Sequence, residues 1–354
     1  MTLEELGWNP FFAEAYVAFA GQGLSPARVA IQHKGAYELY SEFGELRGEV
    51  TGKIHYLARG PEDYPAVGDW VVIHARPEEG GATILEMLPR KTKFSRRAPG
   101  PKAEEQIVAA NIDTVFLVSG LDGNFNIRRM ERYLVLAKES GATPVIVLNK
   151  ADIAKDLDLK VKETDRIAGG TPIVLMSATL DEGLDAMRGY LQPGITGALL
   201  GSSGVGKSTI INHLLGVEYF KTMAVRESDA RGRHATTHRE LVPIPTGGLL
   251  IDTPGMRELQ LWSGPDAFRE TFEDIETLVS TCRFRDCTHE KEPGCSIRKA
   301  LEDGTLDAGR YKSYKKLLKE IAYQNRKDDK VAQLLEKERW KKLTSQQKRG
   351  YKKS

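Results

Sequence analysis

Gly201-Ser202-Ser203-Gly204-Val205-Gly206-Lys207-Ser208 follows an apolar run, Gly197-Ala198-Leu199-Leu200, and opens a helical pattern from Lys207 to Leu215. Strand, glycine-rich turn and helix N-terminus in that order converge backbone N–H groups on one point, as a phosphate chain requires. The G-x-x-x-x-G-K-S spacing assigns Gly201 through Ser208, with the adjoining Thr209, to phosphate binding. Lys207 is expected to reach the β- and γ-phosphates, and the Ser208 hydroxyl to ligate magnesium.

Fifty residues upstream, Asn149-Lys150-Ala151-Asp152 closes another apolar run, Val145-Ile146-Val147-Leu148. This is an N-K-x-D pattern. The Asp152 carboxylate can accept from guanine N1–H and the exocyclic amine, whereas adenine presents an acceptor at N1. Ser177-Ala178, after Ile173-Val174-Leu175-Met176, matches an S-A element that backs the guanine. The nucleotide is therefore read as GTP or GDP. Downstream, Asp252-Thr253-Pro254-Gly255 is a D-x-x-G motif, in which Asp252 holds magnesium through water and the Gly255 N–H meets the γ-phosphate. In an ordinary GTPase the base-reading motif comes last; here it comes first. The order implies a circular permutation, which keeps the site and moves the chain ends.

Between the phosphate loop and Asp252 lies Arg233-His234-Ala235-Thr236-Thr237-His238-Arg239. A threonine is needed here to complete the magnesium shell and sense the γ-phosphate; Thr237 is the choice and Thr236 the alternative. Met256 occupies the position where many GTPases carry a water-orienting glutamine. Methionine cannot orient water, so slow intrinsic hydrolysis is expected, with His234 as the local candidate for the catalytic role beside Thr237 and Lys207.

All three cysteines of the chain fall within fourteen residues, as Cys282, Cys287 and Cys295, with His289 between them. An odd count argues against a simple disulfide framework. Cys-x4-Cys-x-His-x5-Cys supplies four ligands for one closed, structural zinc site.

Five short β-type runs occupy Arg28 to Leu88: Val29–Ile31, Ala36–Tyr40, Leu46–Val50, Trp70–Ile73 and Ala82–Leu85, punctuated by Gly44, Gly68 and Gly80-Gly81. They predict a small closed barrel, most simply an OB-fold, with Lys34, Arg47, Lys53, His55 and Arg59 available to an oligonucleotide. Beyond it, apolar strands alternating with helical lengths predict a mostly parallel sheet covered on both faces. The expected division is a helical extension over 1–27, the barrel over 28–90, a basic linker over 91–110 and the permuted GTPase domain over 111–262. A mostly helical zinc-binding domain over 263–320 and a basic tail over 321–354 complete it.

The net charge of +2 hides an asymmetry: residues 311–354 carry 15 Lys/Arg against 5 Asp/Glu, leaving the remainder near −8. A basic tail on an acidic body is a footprint of nucleic-acid contact. Met1 to Glu5 lacks the basic start and apolar core of a signal peptide, and no run approaches the roughly 20 apolar residues of a membrane span. A cytoplasmic, monomeric protein is expected.

From Arg28 to about Lys319 the chain resembles the RsgA (YjeQ) family of circularly permuted GTPases. The likeness rests on the barrel, N-K-x-D at 149–152, G-S-S-G-V-G-K-S at 201–208, the H-x-T-T element and C-x4-C-x-H-x5-C. It implies late maturation of the 30S ribosomal subunit, binding near the decoding region of 16S rRNA, and 30S-stimulated GTP hydrolysis. Release of another assembly factor, and then of the protein itself, is also implied. Ala235 departs from the third threonine usual in that family. A permuted GTPase of large-subunit assembly and a non-catalytic, nucleotide-regulated RNA-binding module are the competing readings. The barrel and the cysteine cluster argue against the first; Met256 favours the second.

Overall fold

The computed structural model describes residues 1–98, 105–218, 239–252 and 265–326. The chain divides into two compact units, one of residues 1–96 and 105–260, the other of 97–104 and 261–354.

In the first unit, β1 (Ser25–Gln32), β2 (Tyr37–Ser41), β3 (Gly44–Val50), β4 (Trp70–Arg76) and β5 (Gly81–Met87) follow the predicted runs. Helix α1 (Pro10–Tyr16) precedes them, and α2 (Gly52–Leu57) follows β3. The strands pair in the order β1-β2-β3-β5-β4, and β4 returns to β1, closing the barrel. Alternation drives the closure: Tyr37 and Leu39 point inward from β2 and Glu38 outward, so inner faces meet as one core of Val29, Leu39, Leu46, Val71, Ile73 and Ile84. A bulge between Val29 and Ile31 lets β1 pair with several neighbours.

The remaining strands are β6 (Lys93–Arg97), β7 (Glu105–Ala110), β8 (Thr114–Gly120), β9 (Thr143–Asn149), β10 (Ile173–Leu175), β11 (Thr196–Gly201), β12 (Glu240–Pro243) and β13 (Leu249–Asp252). Five of them form a parallel sheet in the order β10-β9-β8-β11-β13, with β12 antiparallel at its end. Helices α3 (Ile127–Ser140), α4 (Leu157–Ala168), α5 (Leu184–Arg188) and α6 (Lys207–Leu215) connect them. β1 bridges β12 at Ile31 and Glu240, so barrel and parallel sheet run into each other.

Two expectations need correction. The stretch 91–110 is not a plain linker, because β6 and β7 pair as a two-stranded sheet with Phe94, Ile107 and Val108 buried. Exposed Lys91 and Lys93 alternate with buried Thr92 and Phe94, which is the strand pattern. The N-terminal extension, expected to be helical over 1–27, holds a helix only over Pro10–Tyr16 and a single 3-10 turn after it. Gly7 at φ 91 and the Asn9 N-cap, whose side chain accepts from the Phe11 N–H, start it only at Pro10. This segment caps the barrel, its Trp8 and Phe12 rings packing 4.8 and 5.8 Å from that of Trp70.

Arg28 joins the pieces. It is fully buried and donates to the carbonyls of Leu6, Gly68 (3.3 Å) and Asn111 (2.9 Å), in the extension, the barrel and the β7–β8 connection. Burial lowers its pKa to about 10, opposed by Asp113 and Asp69. Gly68 sits at φ 91, and a Cβ there would lie 2.1 Å from the Ala110 carbonyl oxygen, so only glycine permits this approach.

The second unit holds α7 (Pro265–Thr271), α8 (Glu273–Ser280), α9 (Ser296–Glu302) and a helix over 308–326. Phe268, Phe272, Ile275 and Tyr314 are buried, and Arg310 grips Asp274 through two 2.7 Å hydrogen bonds. No helix among the described residues is long and apolar enough to cross a membrane.

Candidate functional site

The motifs stand at the C-terminal ends of parallel strands, where ligands of open α/β sheets bind. Asn149 ends β9, Ser177 follows β10, Gly201 ends β11 and Asp252 ends β13.

Asn149 ties three of them together. Its buried side chain donates from Nδ2 to the Val205 carbonyl (2.9 Å) in the phosphate loop, and its Oδ1 accepts from the Ala178 N–H (3.0 Å). Gly206, at φ 99, makes room for this, since a Cβ there would lie 2.2 Å from Asn149 Nδ2. Ser177, also buried, donates its hydroxyl to Asp152 Oδ1 at 2.6 Å and so fixes that carboxylate. Lys150 adopts a left-handed backbone (φ 68) and donates from Nζ to the Gly204 carbonyl (2.6 Å) and to Asp122 Oδ2 (2.7 Å). That contact is the first cause holding the Asp122 carboxyl below its ordinary pKa.

Within the phosphate loop, Lys207 Nζ donates to the carbonyls of Gly201 and Ser202, both at 2.8 Å. The ammonium is thus folded into the turn that would surround the phosphates. Burial pushes the Asp252 carboxyl up to about 6; Glu240, its partner on β12, adds to the rise and Lys207 opposes it. A divalent cation at this carboxylate would reverse that balance.

His234, Thr236, Thr237, Gly255 and Met256 lie outside the described residues, as does the tail from 327 onward. Two neighbours escaped the sequence reading. Asp122 pairs with Lys150, and Arg129 Nη1 donates to the Ser202 hydroxyl at 2.8 Å. The position of Asp122 just beyond an apolar strand was the one signal available for it; Arg129 had none.

In the second unit, one ligand atom from each of Cys282, Cys287, His289 and Cys295 lies within 4.8 Å of the others. His289 Nδ1 is 3.5 Å from both Cys282 Sγ and Cys295 Sγ. A tetrahedral ion with metal–sulfur distances near 2.3 Å and metal–nitrogen near 2.05 Å requires a sulfur–nitrogen edge of about 3.6 Å. The donor set and its spacing fit a metal ion.

Residues 87–262 match the family model for the RsgA GTPase. A small ribosomal subunit biogenesis GTPase RsgA from Opitutus terrae is 49% identical over 352 residues, covering 97% of this chain and 96% of that protein. The chain belongs to the RsgA family. Membership makes it a circularly permuted GTPase of ribosomal subunit biogenesis with a guanine-nucleotide site. An RsgA 1 from Oceanobacillus iheyensis is 45% identical over 94% of this chain and 95% of its own length. The crystal structure of YjeQ from Thermotoga maritima superposes with a TM-score of 0.62 at 28% identity, covering 84% of this chain and 99% of that one. The structure of YloQ, described as a circularly permuted GTPase, gives 0.58 at 25% identity over 85% and 96%.

Proposed function

We propose that this RsgA-family chain binds GTP at the Asn149–Gly201–Asp252 site and hydrolyses it on the 30S subunit during late maturation. In this reading it contacts 16S rRNA, drives release of another assembly factor, and leaves after hydrolysis. It acts as a cytoplasmic monomer. The observation that supports it most is the Asn149 side chain, which locks the base-reading loop, the Ser177-Ala178 element and the phosphate loop into one preorganised pocket.

Asp152, steadied by Ser177, accepts from guanine N1–H and the exocyclic amine. Asn149, Lys150, Ser177 and Ala178 complete the base pocket. The loop N–H groups of Gly201 through Ser208, with Thr209 and Gly255, hold the phosphates. Lys207 exchanges its two carbonyls for β- and γ-phosphate oxygens as charge develops there. Ser208, Thr237 and Asp252 would hold Mg²⁺, which when bound neutralises charge between the β- and γ-phosphates. His234 orients the attacking water, a task that Met256 cannot perform. Cys282, Cys287, His289 and Cys295 hold one structural Zn²⁺, all four positions being filled by protein.

Single-turnover hydrolysis with 30S subunits, with 50S subunits and with neither tests the reading. Stimulation by 30S alone is expected, with His234→Ala lowering the stimulated rate by ~10²–10⁴-fold and scarcely changing nucleotide affinity. Equal stimulation by 50S, or none at all, would overturn it.

A further inference from the structure

A cavity of about 260 Å³ lies in the first unit where the β1–β2 turn, α2, residues 61–66 and β7 converge. Its floor is apolar and buried, built by Tyr37 and Ile107. Gln32, His55, Tyr64 and Gln106 bring hydrogen-bonding groups to it from four separate segments. These groups are held in place. Gln32 is fixed by its backbone pairing with Tyr37 across β1 and β2, Arg96 Nε donates to Gln106 Oε1 at 3.1 Å, and His55 Nδ1 lies 3.3 Å from the Tyr64 hydroxyl.

No Asp, Glu, Lys or Arg is among the described residues lining the cavity. Its two histidines are already engaged, His33 by Glu38 at 2.8 Å and His55 by the Tyr64 hydroxyl, so a phosphate, carboxylate or ammonium buried here would meet no permanent counter-charge in the lining, which is costly. A purely apolar occupant would leave both amides unmatched. The complementary group is flat and neutral, with donors and acceptors along its edge and apolar faces. Glutamine amides suit the edges of bases, and the His55 and Tyr64 rings, 5.7 Å apart with planes tilted by 55°, each supply an aromatic surface for a base. Lys34 is exposed in the β1–β2 turn beside the cavity, where a sugar–phosphate backbone would leave it.

We infer that this cavity is a subsite for an unpaired RNA base, read by Gln32 and Gln106, with the adjoining phosphate met by Lys34. The inference rests on the reading of the chain as an rRNA-binding factor and gives that contact a specific place.

The test uses the full chain and labelled rA10, rC10 and rU10, titrated by fluorescence anisotropy across a salt series, with 30S co-sedimentation alongside. The parent should prefer one homopolymer. The double variant Gln32→Ala, Gln106→Ala should weaken that preferred complex by about 10–100-fold and level the three affinities, with the salt slope unaltered. Lys34→Ala should instead lower the slope by about one and keep the preference. A thermal melt confirms folding of the double variant; His55→Ala, at an exposed rim position, serves should it unfold. Equal affinity of the parent for all three homopolymers, or a preference that survives the variants, overturns the inference. Co-sedimentation separates the two claims. A parent that binds 30S without base preference defeats the cavity alone, whereas base preference without 30S binding defeats the functional reading alone.

Discussion

The nucleotide pocket and the cysteine–histidine loop are both four-point constellations, yet they are assembled in opposite ways. Asn149 draws its two partners from 29 and 56 residues along the chain, and Lys150 reaches 28 and 54. Those contacts exist because β9, β10 and β11 lie in one sheet, so the fold places them before any ligand arrives. Cys282 to Cys295 spans fourteen residues, with Cys295 the one buried cysteine and short turns between helices α8 and α9. Local chain supplies those ligands but little core. The first constellation is made by the fold; the second stands where a metal would make the fold.

Metal removal should therefore give the largest effect. Zinc is expected at about one per chain by elemental analysis. Cys287→Ala should lose it and melt residues 281–297, because binding energy in such sites is folding energy, on the order of 10 kcal/mol in small zinc peptides. GTP affinity, set in the other unit, should hold. Hydrogen exchange across 281–297 that stays as slow as in the parent would show that the loop stands without metal, erasing the contrast.

Asn149→Ala tests the opposite side. It strands the Val205 carbonyl and the Ala178 N–H in a buried setting, at about 1–3 kcal/mol each. Nucleotide affinity should fall ~10²-fold or more, with a lower melting temperature of the first unit, while zinc content stays unchanged. Titration with a fluorescent GDP analogue reads the first and calorimetry the second. Unaltered affinity would mean that the three motifs keep their places without this side chain.

The same division governs what the sequence revealed. Helix α6 begins and ends where the phosphate-loop pattern placed it, and the five barrel strands overlap the five short β-type runs, because those signals are local. The cysteine cluster was legible for the same reason. Arg28 reads as an ordinary surface cation in the sequence but is buried by carbonyls brought in from Leu6, Gly68 and Asn111. Asp122 and Arg129 acquire their meaning only when α3 and its preceding loop pack beside the phosphate loop. The pairing of β6 with β7 was masked by basic residues that suggested a linker. The Arg28, Asp122 and Arg129 contacts are long-range, and none of these has a spacing that a linear motif could carry.

Lys150→Met should have the smallest effect and sharpens the comparison most finely. It keeps an apolar stem but removes the donor to Gly204 and to Asp122. Both partners of the ion pair are about a quarter exposed, so solvent screens it and the stability cost should be about 0.5–1 kcal/mol at pH 7. The Asp122 pKa is depressed in the fold, so the stabilisation is present above the ordinary carboxylate range and lost as pH falls through the lower folded value. The difference between parent and variant should thus shrink in acid. Nucleotide affinity should drop about tenfold, because a single charge-assisted donor to the loop is missing while Asn149 still holds it. An effect as large as that of Asn149→Ala would place the organising tie at Lys150 instead. Denaturant melts at pH 7 and at steps below the ordinary carboxylate value of 3.8, with parallel nucleotide titrations at pH 7, decide between the two residues.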